Sequence, residues 1–208
     1  MLRYLRNGIG VPGNSGMIPV GLPGYDTTQT IGYHYDAQKA SELVARYNLN
    51  SYPIKLYTTQ DYIDIAKFVQ SALNEVGFDC RVEEMMPAAL REKRANGNLP
   101  FFRSSWVADY PDAENYLSLF TTANFTPAGP NYTHFSDEEF DRLYAKAMLC
   151  NDMNDRALLY HRMDSIMMSE APVVVLFYDE VLRFINKRVE GLGSNPTNLL
   201  DLRRTRME

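Results

Sequence analysis

Cysteine and histidine are scarce in this sequence, which limits the sites that the chain can build. Its 208 residues include two cysteines, Cys80 and Cys150, and three histidines. Two cysteines allow at most one internal disulfide, and their spacing matches neither a zinc nor a redox motif. His34, His134 and His161 are scattered and lack the spacing of a helical metal site. We therefore expect two free, buried thiols, no metal and no cofactor.

A strong charge of either sign is also absent. The chain has 21 basic and 26 acidic residues, which gives a net charge of −5 at pH 7. Proteins that bind nucleic acid without sequence preference rely on many lysines and arginines facing phosphates. The basic stretches at residues 91–94 and 203–206 are short and interrupted. They are typical of a solvated helix face and a charged tail, so we expect no nucleic-acid partner.

Long apolar runs are missing as well. The longest, Val173 to Tyr178, has the length of a strand, whereas a membrane-spanning helix needs about 20 residues. The N-terminal segment MLRYLRNGIG lacks the charged-then-apolar layout of a secretory signal. Taken alone, this predicts a cytoplasmic protein. If the chain is a piece of a longer protein, the segment carries no information about location.

Residues 7–35 contain seven glycines and three prolines and show no helical or alternating period. Such a composition favours an extended connector that packs against another part of the protein. Alternating helix and strand patterns begin after it. We therefore predict a connector at residues 1–35, an α/β lobe at residues 36–186, and a C-terminal return segment or tail at residues 187–208.

The first half of the predicted lobe alternates between strands and helices. This β-α-β-α-β pattern favours helices packed on a mainly parallel sheet, with the last strand in or near its centre. The elements are a helix capped by Asp36, a strand at Ile54–Thr58, a helix from Asp61 ended by Gly77, a strand at Phe78–Glu83, a helix from Pro87 to Asn96, and a strand at Phe101–Val107.

The second half is predicted to be mainly helical. Ser136 begins an S-x-x-E capping box, which predicts a helix behind it. Another amphipathic helix runs from about Asp155 to Glu170. Pro172 is then predicted to start a buried strand, with Val181–Ile185 as its neighbour.

Residues 101–120, FFRSSWVADYPDAENYLSLF, hold the only tryptophan of the chain. Ligands of open α/β sheets bind beyond the carboxyl ends of the strands, so Asp109, just after an apolar strand, is expected to point into a crevice. Trp106 can supply a flat apolar wall with one N–H donor. A carboxylate beside such a wall can hold an ammonium group through a charge-assisted hydrogen bond.

The stretch from Trp106 to Leu117 resembles the W-x-x-D-Y-P-D-x-x-N-x-L signature of the solute-binding proteins of oligopeptide, dipeptide and nickel ABC importers. Four further segments agree with that family in order, so that the resemblance covers about residues 5–190. They are Ile18–Tyr25, similar to its P-P-G-x-x-G-Y connector; Tyr35–Ala40, similar to its Y-D-P-x-K-A helix start without the proline; Phe140–Leu143, similar to its x-x-D-x-L helix; and Glu170–Val173, similar to its x-A-P-x-x-P-L strand entry.

The resemblance implies a two-lobed clamp of the type II periplasmic-binding-protein kind, with a mixed sheet flanked by helices. This chain would supply mainly the second, C-terminal lobe. The first lobe, with its signal or lipoprotein sequence, would precede Met1. The full-length protein would then be periplasmic or extracellular and membrane-anchored. Its partners would be a peptide or other small solute and the membrane permease of the importer.

The resemblance also implies roles for single residues. Asp109 would anchor a ligand α-ammonium, Arg103 would face a carboxylate or backbone oxygen of the ligand, and Trp106 would line a side-chain pocket beside Tyr110. Each has a structural alternative. Asp109 and Asp112 can cap the turn and the helix after it, which we favour for Asp112. Arg103 can pair with a structural carboxylate.

Two other functions stay open at this point. Asp109, Asp112 and Glu114 could serve as the general acid and base of a glycoside hydrolase, because spacing alone does not exclude it. Alternatively, the face that would meet the other lobe could support self-association. The nature of the ligand is also open, since the family holds peptides, nickel complexes, haem or oligosaccharides.

Overall fold

The computed structural model describes residues 1–26, 31–194 and 199–208. Parts of the predicted connector and tail, residues 27–30 and 195–198, lie outside the described residues. The described chain mixes helices with short strands, as expected for an α/β protein. None of its described helices is long and apolar enough to cross a membrane. The division into connector, lobe and tail stays a prediction.

The helices of the described residues cluster in the middle and second half of the chain. They are α1 Leu2–Leu5, α2 Ala37–Tyr47, α3 Ile63–Glu75, α4 Pro87–Ala95, α5 Glu114–Leu117, α6 Glu138–Leu149 and α7 Met153–Glu170. The strands are short and pair two by two. They are β1 Val11–Pro12, β2 Ile54–Thr58, β3 Cys80–Glu84, β4 Phe177–Tyr178, β5 Val189–Glu190 and β6 Arg206–Met207.

Local sequence signals explain most helix ends. The Asp36 carboxylate accepts a hydrogen bond from Lys39 N at 2.9 Å and caps α2. Pro87 lies in the first turn of α4, where its missing N–H costs nothing. Gly77 follows α3 with φ +105°, a conformation that favours glycine. The cap of α6 was predicted one residue too early: Asp137 caps it, accepting from Phe140 N at 2.7 Å.

A parallel pair of strands organises the first half of the lobe. β2 and β3 run side by side from Ile54 opposite Cys80 to Thr58 opposite Glu84. The helix that connects them, α3, packs Ala66 against Leu56 and Cys80 in a small core. This arrangement confirms the predicted β-α-β unit.

The predicted third strand, Phe101–Val107, is wrong in extent and place. Only Phe102 forms a bridge, parallel to Tyr57. Tyr57 N donates to Phe101 O at 3.0 Å and Arg103 N donates to Tyr57 O at 2.9 Å, after which the chain leaves the sheet. Among the described residues the order is therefore β3, β2, Phe102, with this segment at the edge and not in the centre. Apolar side chains from residue 106 onward serve a turn instead of a strand.

The larger core lies between α5, α6, α7 and the residues around Ile18. Ile18, Phe140, Met163 and Met167 are fully buried there. The buried Asp164 of α7 accepts hydrogen bonds from Met17 N at 2.8 Å and Ile18 N at 3.2 Å. The glycine-rich segment is thereby attached to the longest helix.

The predicted strand pair at Val173–Ile185 is also corrected. Only Phe177–Tyr178 forms a strand, and it pairs antiparallel with Val11–Pro12 instead of with residues 181–185. Residues 181–185 form no strand, and Phe184 is 96% exposed. Within the described part of the chain, no other strand lies beside them to complete a ladder.

Candidate ligand-binding site

Asn115 closes the turn that follows the sheet edge. This residue of α5 is only 6% exposed. Its Oδ1 atom accepts a hydrogen bond from Trp106 Nε1 at 2.8 Å and another from Asp109 N at 3.3 Å. The Asn115 Oδ1 atom therefore fixes the position of the Trp106 indole relative to the backbone of Asp109.

Asp112 starts α5 and ties it to α7. Its Oδ1 atom accepts from Glu114 N at 3.0 Å, and its Oδ2 atom lies 2.5 Å from the Arg156 guanidinium. Both side chains of this ion pair are largely buried. The N-cap of α5 is Ala113 and not Asp112, although the Asp112 carboxylate accepts the N–H of the first helical residue and so has a structural role.

The Glu114 carboxylate receives two tyrosine hydroxyls. Tyr110 donates to Oε2 and Tyr144 of α6 donates to Oε1. The bond to Glu114 is the main reason why the pKa of Tyr110 is raised, with burial adding to it. Burial first and Glu114 second raise the pKa of Tyr144. Both phenols therefore stay protonated donors at neutral pH.

Asp109 differs from its two acidic neighbours. Its side chain is exposed, and its carboxylate has no hydrogen bond or ion pair with any described residue. Its backbone, in contrast, is held by Asn115. Trp106 is half-buried and packs against the larger core. The structure thus presents one free negative charge on a fixed turn beside an aromatic ring.

Arg103 lies in a separate cleft of about 270 Å³ at the carboxyl end of β2. Its guanidinium stacks on Tyr62, with 3.3 Å between Cζ and the ring centroid, and donates to Ser105 Oγ at 3.3 Å. Burial lowers its pKa below the usual value, though an arginine stays charged at neutral pH. Among the described residues it has no ion pair, but the Asp179 carboxylate acts to raise its pKa, so the alternative of a structural carboxylate partner stays open.

The same cleft contains two arginines that sequence analysis assigned to a solvated helix face. Arg91 and Arg94 of α4 both line it. Arg94 donates to Ser104 Oγ at 2.9 Å and stacks on Tyr132 at 4.6 Å. Its Nε atom is buried without a hydrogen-bond partner in the described chain. Their spacing of three residues on one helix face is the signal that could have identified them.

The structure therefore divides the four predicted site residues into two groups. Trp106, Asp109 and Tyr110 lie on one turn, and Asn115, for which the sequence predicts no separate role, bonds the first two. Arg103 lies in the arginine-lined cleft, where it contacts Tyr62 and Ser105. Within the described ranges, no group of three histidine, cysteine or acidic side chains could hold a metal ion.

The first 127 residues, which include this turn, are similar to a known protein family. Residues 1–127 match the family described as "Bacterial extracellular solute-binding proteins, family 5 Middle". The chain belongs to this family. Members of family 5 are solute-binding proteins, and the resemblance carried by residues 106–117 is thereby confirmed.

Three relatives illustrate how far the similarity to family 5 extends. The probable D,D-dipeptide-binding periplasmic protein DdpA of Escherichia coli is 28% identical over 186 residues, which are 87% of this chain and 36% of that protein. HbpA2 of Haemophilus parasuis has a TM-score of 0.84 at 21% identity, over all of this chain and 42% of that one. DppA of Helicobacter pylori, solved with the peptide STSA, has a TM-score of 0.83 at 23% identity, over all of this chain and 41% of that one.

These similarities confirm the predicted fold class, an α/β protein of the type II periplasmic-binding-protein kind. They also set its extent. The chain spans about two fifths of the length of these relatives.

Proposed function

We propose that this chain forms one lobe of the solute-binding component of an ABC importer and holds a peptide-like solute. The observation that carries the proposal is the exposed Asp109 carboxylate, which has no partner among the described residues although its backbone is fixed by Asn115. Such a group suits a ligand ammonium. The family match supports the proposal, as do relatives named for binding D,D-dipeptides and murein peptides.

In this proposal Asp109 receives the α-ammonium of the solute, and Trp106 and Tyr110 flank it. Arg103 receives a carboxylate or backbone oxygen. The cleft around Arg103 supports that role, because three arginines and one acidic residue, Asp61, line it. A guanidinium held by an aromatic ring and a hydroxyl keeps donors for an anionic group.

The proposed protein is a binding module and not an enzyme. Asp112 is engaged by Arg156, and Glu114 by two tyrosines, so neither is free to act as an acid or base with Asp109. We further propose a membrane permease as the partner of the full-length protein, and a periplasmic or extracellular, membrane-anchored location. The names of DdpA and of the periplasmic murein peptide-binding protein MppA of Escherichia coli support the periplasmic part of this proposal.

NMR spectra of the chain, recorded during titration with three matched peptides, test the proposal. Ala-Ala carries both charged termini, its N-acetyl form lacks the ammonium and its amide lacks the carboxylate. We expect Ala-Ala to bind the chain and the N-acetyl form to bind up to about fivefold more weakly. Asp109→Asn should have the same effect as N-acetylation, whereas Glu75→Gln, which changes an exposed carboxylate of α3, should not. Unchanged affinity of Asp109→Asn would show that Asp109 is not the anchor.

We expect this chain alone to bind the peptide only weakly. A charge pair with one side open to water contributes only about 0–1 kcal/mol. Enclosure by a second lobe removes water and strengthens it. Calorimetry on the full-length protein should therefore show a much lower Kd than that of the chain, and equal values would contradict the clamp. Peptide or glycoside turnover that disappears in Asp109→Asn would favour the hydrolase instead.

Self-association is a second candidate, and one observation favours it. Val181, Leu182 and Phe184 are exposed apolar side chains on one short segment, and Phe184 is 96% exposed. Apolar clusters of this kind mark contact surfaces. Sedimentation velocity should then show concentration-dependent dimers that Phe184→Asn abolishes. A monomer at all concentrations would exclude this candidate.

A further inference from the structure

Asn115 contacts two of the four predicted ligand-binding residues. Its Oδ1 atom accepts from Trp106 Nε1 and Asp109 N, and its amide also opposes the rise in the pKa of the neighbouring Tyr110 phenol. With an exposure of 6%, the amide is enclosed by these partners. Asn115 therefore lies beneath the proposed ligand-binding surface and supports the residues that form it.

The helix that carries Asn115 is fixed from two sides. Arg156 of α7 holds Asp112 at its start, and Tyr144 of α6 donates to Glu114 in its first turn. α6 and α7 themselves form the larger core together with α5. A side chain on such a support can hold its partners in one position, because its own backbone has little freedom to move.

The turn has few other hydrogen bonds that could hold Trp106 and Asp109 in place. Trp106 Nε1 and Asp109 N each have Asn115 Oδ1 as their hydrogen-bond acceptor in the described structure. Without that oxygen, the indole N–H would lose its partner in a half-buried position. Water could then satisfy it only if the ring moves outward. The carboxylate of Asp109 would follow, since its backbone is released at the same time.

From this geometry we propose that Asn115 is a positioning residue that pre-organises Trp106 and Asp109 for ligand binding. The inference rests on the proposed function, because it concerns affinity for the solute that Asp109 would hold. Fixing rotatable groups before binding lowers the entropic cost of association by about 0.5–1.5 kcal/mol per side chain. Removing Asn115 is therefore expected to weaken peptide binding roughly threefold to tenfold.

Trp106 provides a direct readout, since the sequence contains one tryptophan and therefore one indole N–H resonance. In NMR spectra of the whole chain, Asn115→Leu should move this resonance upfield and speed its exchange with water. Titration with Ala-Ala should show the weaker binding in the same samples. Asn115→Asp keeps an accepting oxygen and should restore the resonance and most of the affinity.

Asn124→Leu is the matched control. Asn124 also donates a part-buried hydrogen bond, to Ser118 O at 2.8 Å, but has no contact with the turn. It should lower stability without moving the indole resonance or the Ala-Ala affinity. If Asn115→Leu does not fold, Asn115→Ser, which is too short to reach the indole, should give the same two changes.

Each outcome separates the two proposals. Loss of the indole hydrogen bond with unchanged Ala-Ala affinity would overturn the positioning role and leave the proposed function standing. An unmoved indole resonance in Asn115→Leu would also overturn it. Absence of Ala-Ala binding by the unmodified chain and by the full-length protein would overturn the proposed function, and the positioning role with it.

Discussion

The guanidinium of Arg156 in α7 contacts the carboxylate of Asp112, which lies just before α5 and 44 residues earlier in the sequence. The oxygen of Asp112 that this arginine leaves free accepts the N–H of Glu114 and so starts α5. One aspartate thereby links the long helix α7 to the turn that ends at Asp109. The motif's second aspartate is structural, whereas the carboxylate of its first, Asp109, has no partner among the described residues.

Loss of this ion pair is expected to lower stability. Arg156→Gln leaves Asp112 largely buried without its cation, which should cost about 1–3 kcal/mol of unfolding free energy. Urea denaturation measures the loss. The control is Arg142→Gln, because Arg142 and Glu139 form an exposed pair at 3.9 Å that should contribute less than about 0.5 kcal/mol. Equal losses in both variants would contradict the role of the buried pair.

A side chain at position 16 is expected to destabilise the folded chain, because Asp164 lies against Gly16. A Cβ atom at Gly16 would lie 2.3 Å from Asp164 Oδ2, and its φ of +99° already disfavours a side chain. Gly21 has a similar φ of +89° but no atom within 4 Å of such a Cβ. Gly21→Ala should therefore cost about 1–2 kcal/mol from backbone strain alone.

Gly16→Ala should cost at least about 2 kcal/mol more, since it displaces the acceptor of two backbone N–H groups. Thermal or urea unfolding of the two variants compares them directly. Similar losses would show that the contact with Asp164 adds nothing to the strain.

Asp164 should make stability depend on pH in the opposite direction to most aspartates. Burial raises its pKa from 3.8 to about 6, although Met17 N, Ile18 N and His161 act to lower it. Between these values the folded chain binds more protons than the unfolded chain. The contribution of Asp164 is thus fully present below about pH 3.8 and is lost as the pH rises through 6.

Urea denaturation from pH 4 to 7 tests this expectation. The loss should reach about 3 kcal/mol at most for a shift of this size. Asp164→Asn cannot ionise, so the difference in stability between it and the unmodified chain should change across this window and stay constant above it. A difference that does not vary with pH would show that Asp164 has an ordinary pKa in the folded chain.

The two cysteines are expected to differ in reactivity. Cys80 is buried in the core beneath α3, and burial is the main cause that raises the pKa of its thiol. Cys150, which was also expected to be buried, is partly exposed at the end of α6, so that expectation is wrong for this residue. Because the thiolate is the reactive form, iodoacetamide should modify Cys150 at least about tenfold faster than Cys80.

Peptide mass spectrometry follows both sites in one sample. Cys150→Ser should leave only the slow reaction, and urea should abolish the difference between the sites. Equal rates in the folded chain would mean that the core around Cys80 opens readily.

Periodicity predicted the local elements well where a buried face and an end signal coincide. The strand Ile54–Thr58 and the helices begun by Asp36 and Pro87 are observed as predicted. Phe101–Val107 failed because an apolar run has no property that separates a strand from a turn packed on a core. Only Phe102 of this run is paired with the sheet, the Trp106 indole is bonded to Asn115 of α5, and Val107 is 63% exposed.

The sequence by itself determined the family, the α/β class and the position of Asp109 at the end of an apolar run, because these depend on local pattern and motif order. Only the tertiary structure decided which polar groups are engaged. Asp109, Asp112 and Glu114 are chemically similar and adjacent in sequence, yet their roles depend on Arg156, Tyr144 and other groups brought near by folding. For the same reason the spacing of Arg91 and Arg94 indicates a shared helix face, but only folding places Arg94 against Tyr132 and in the cleft that contains Arg103.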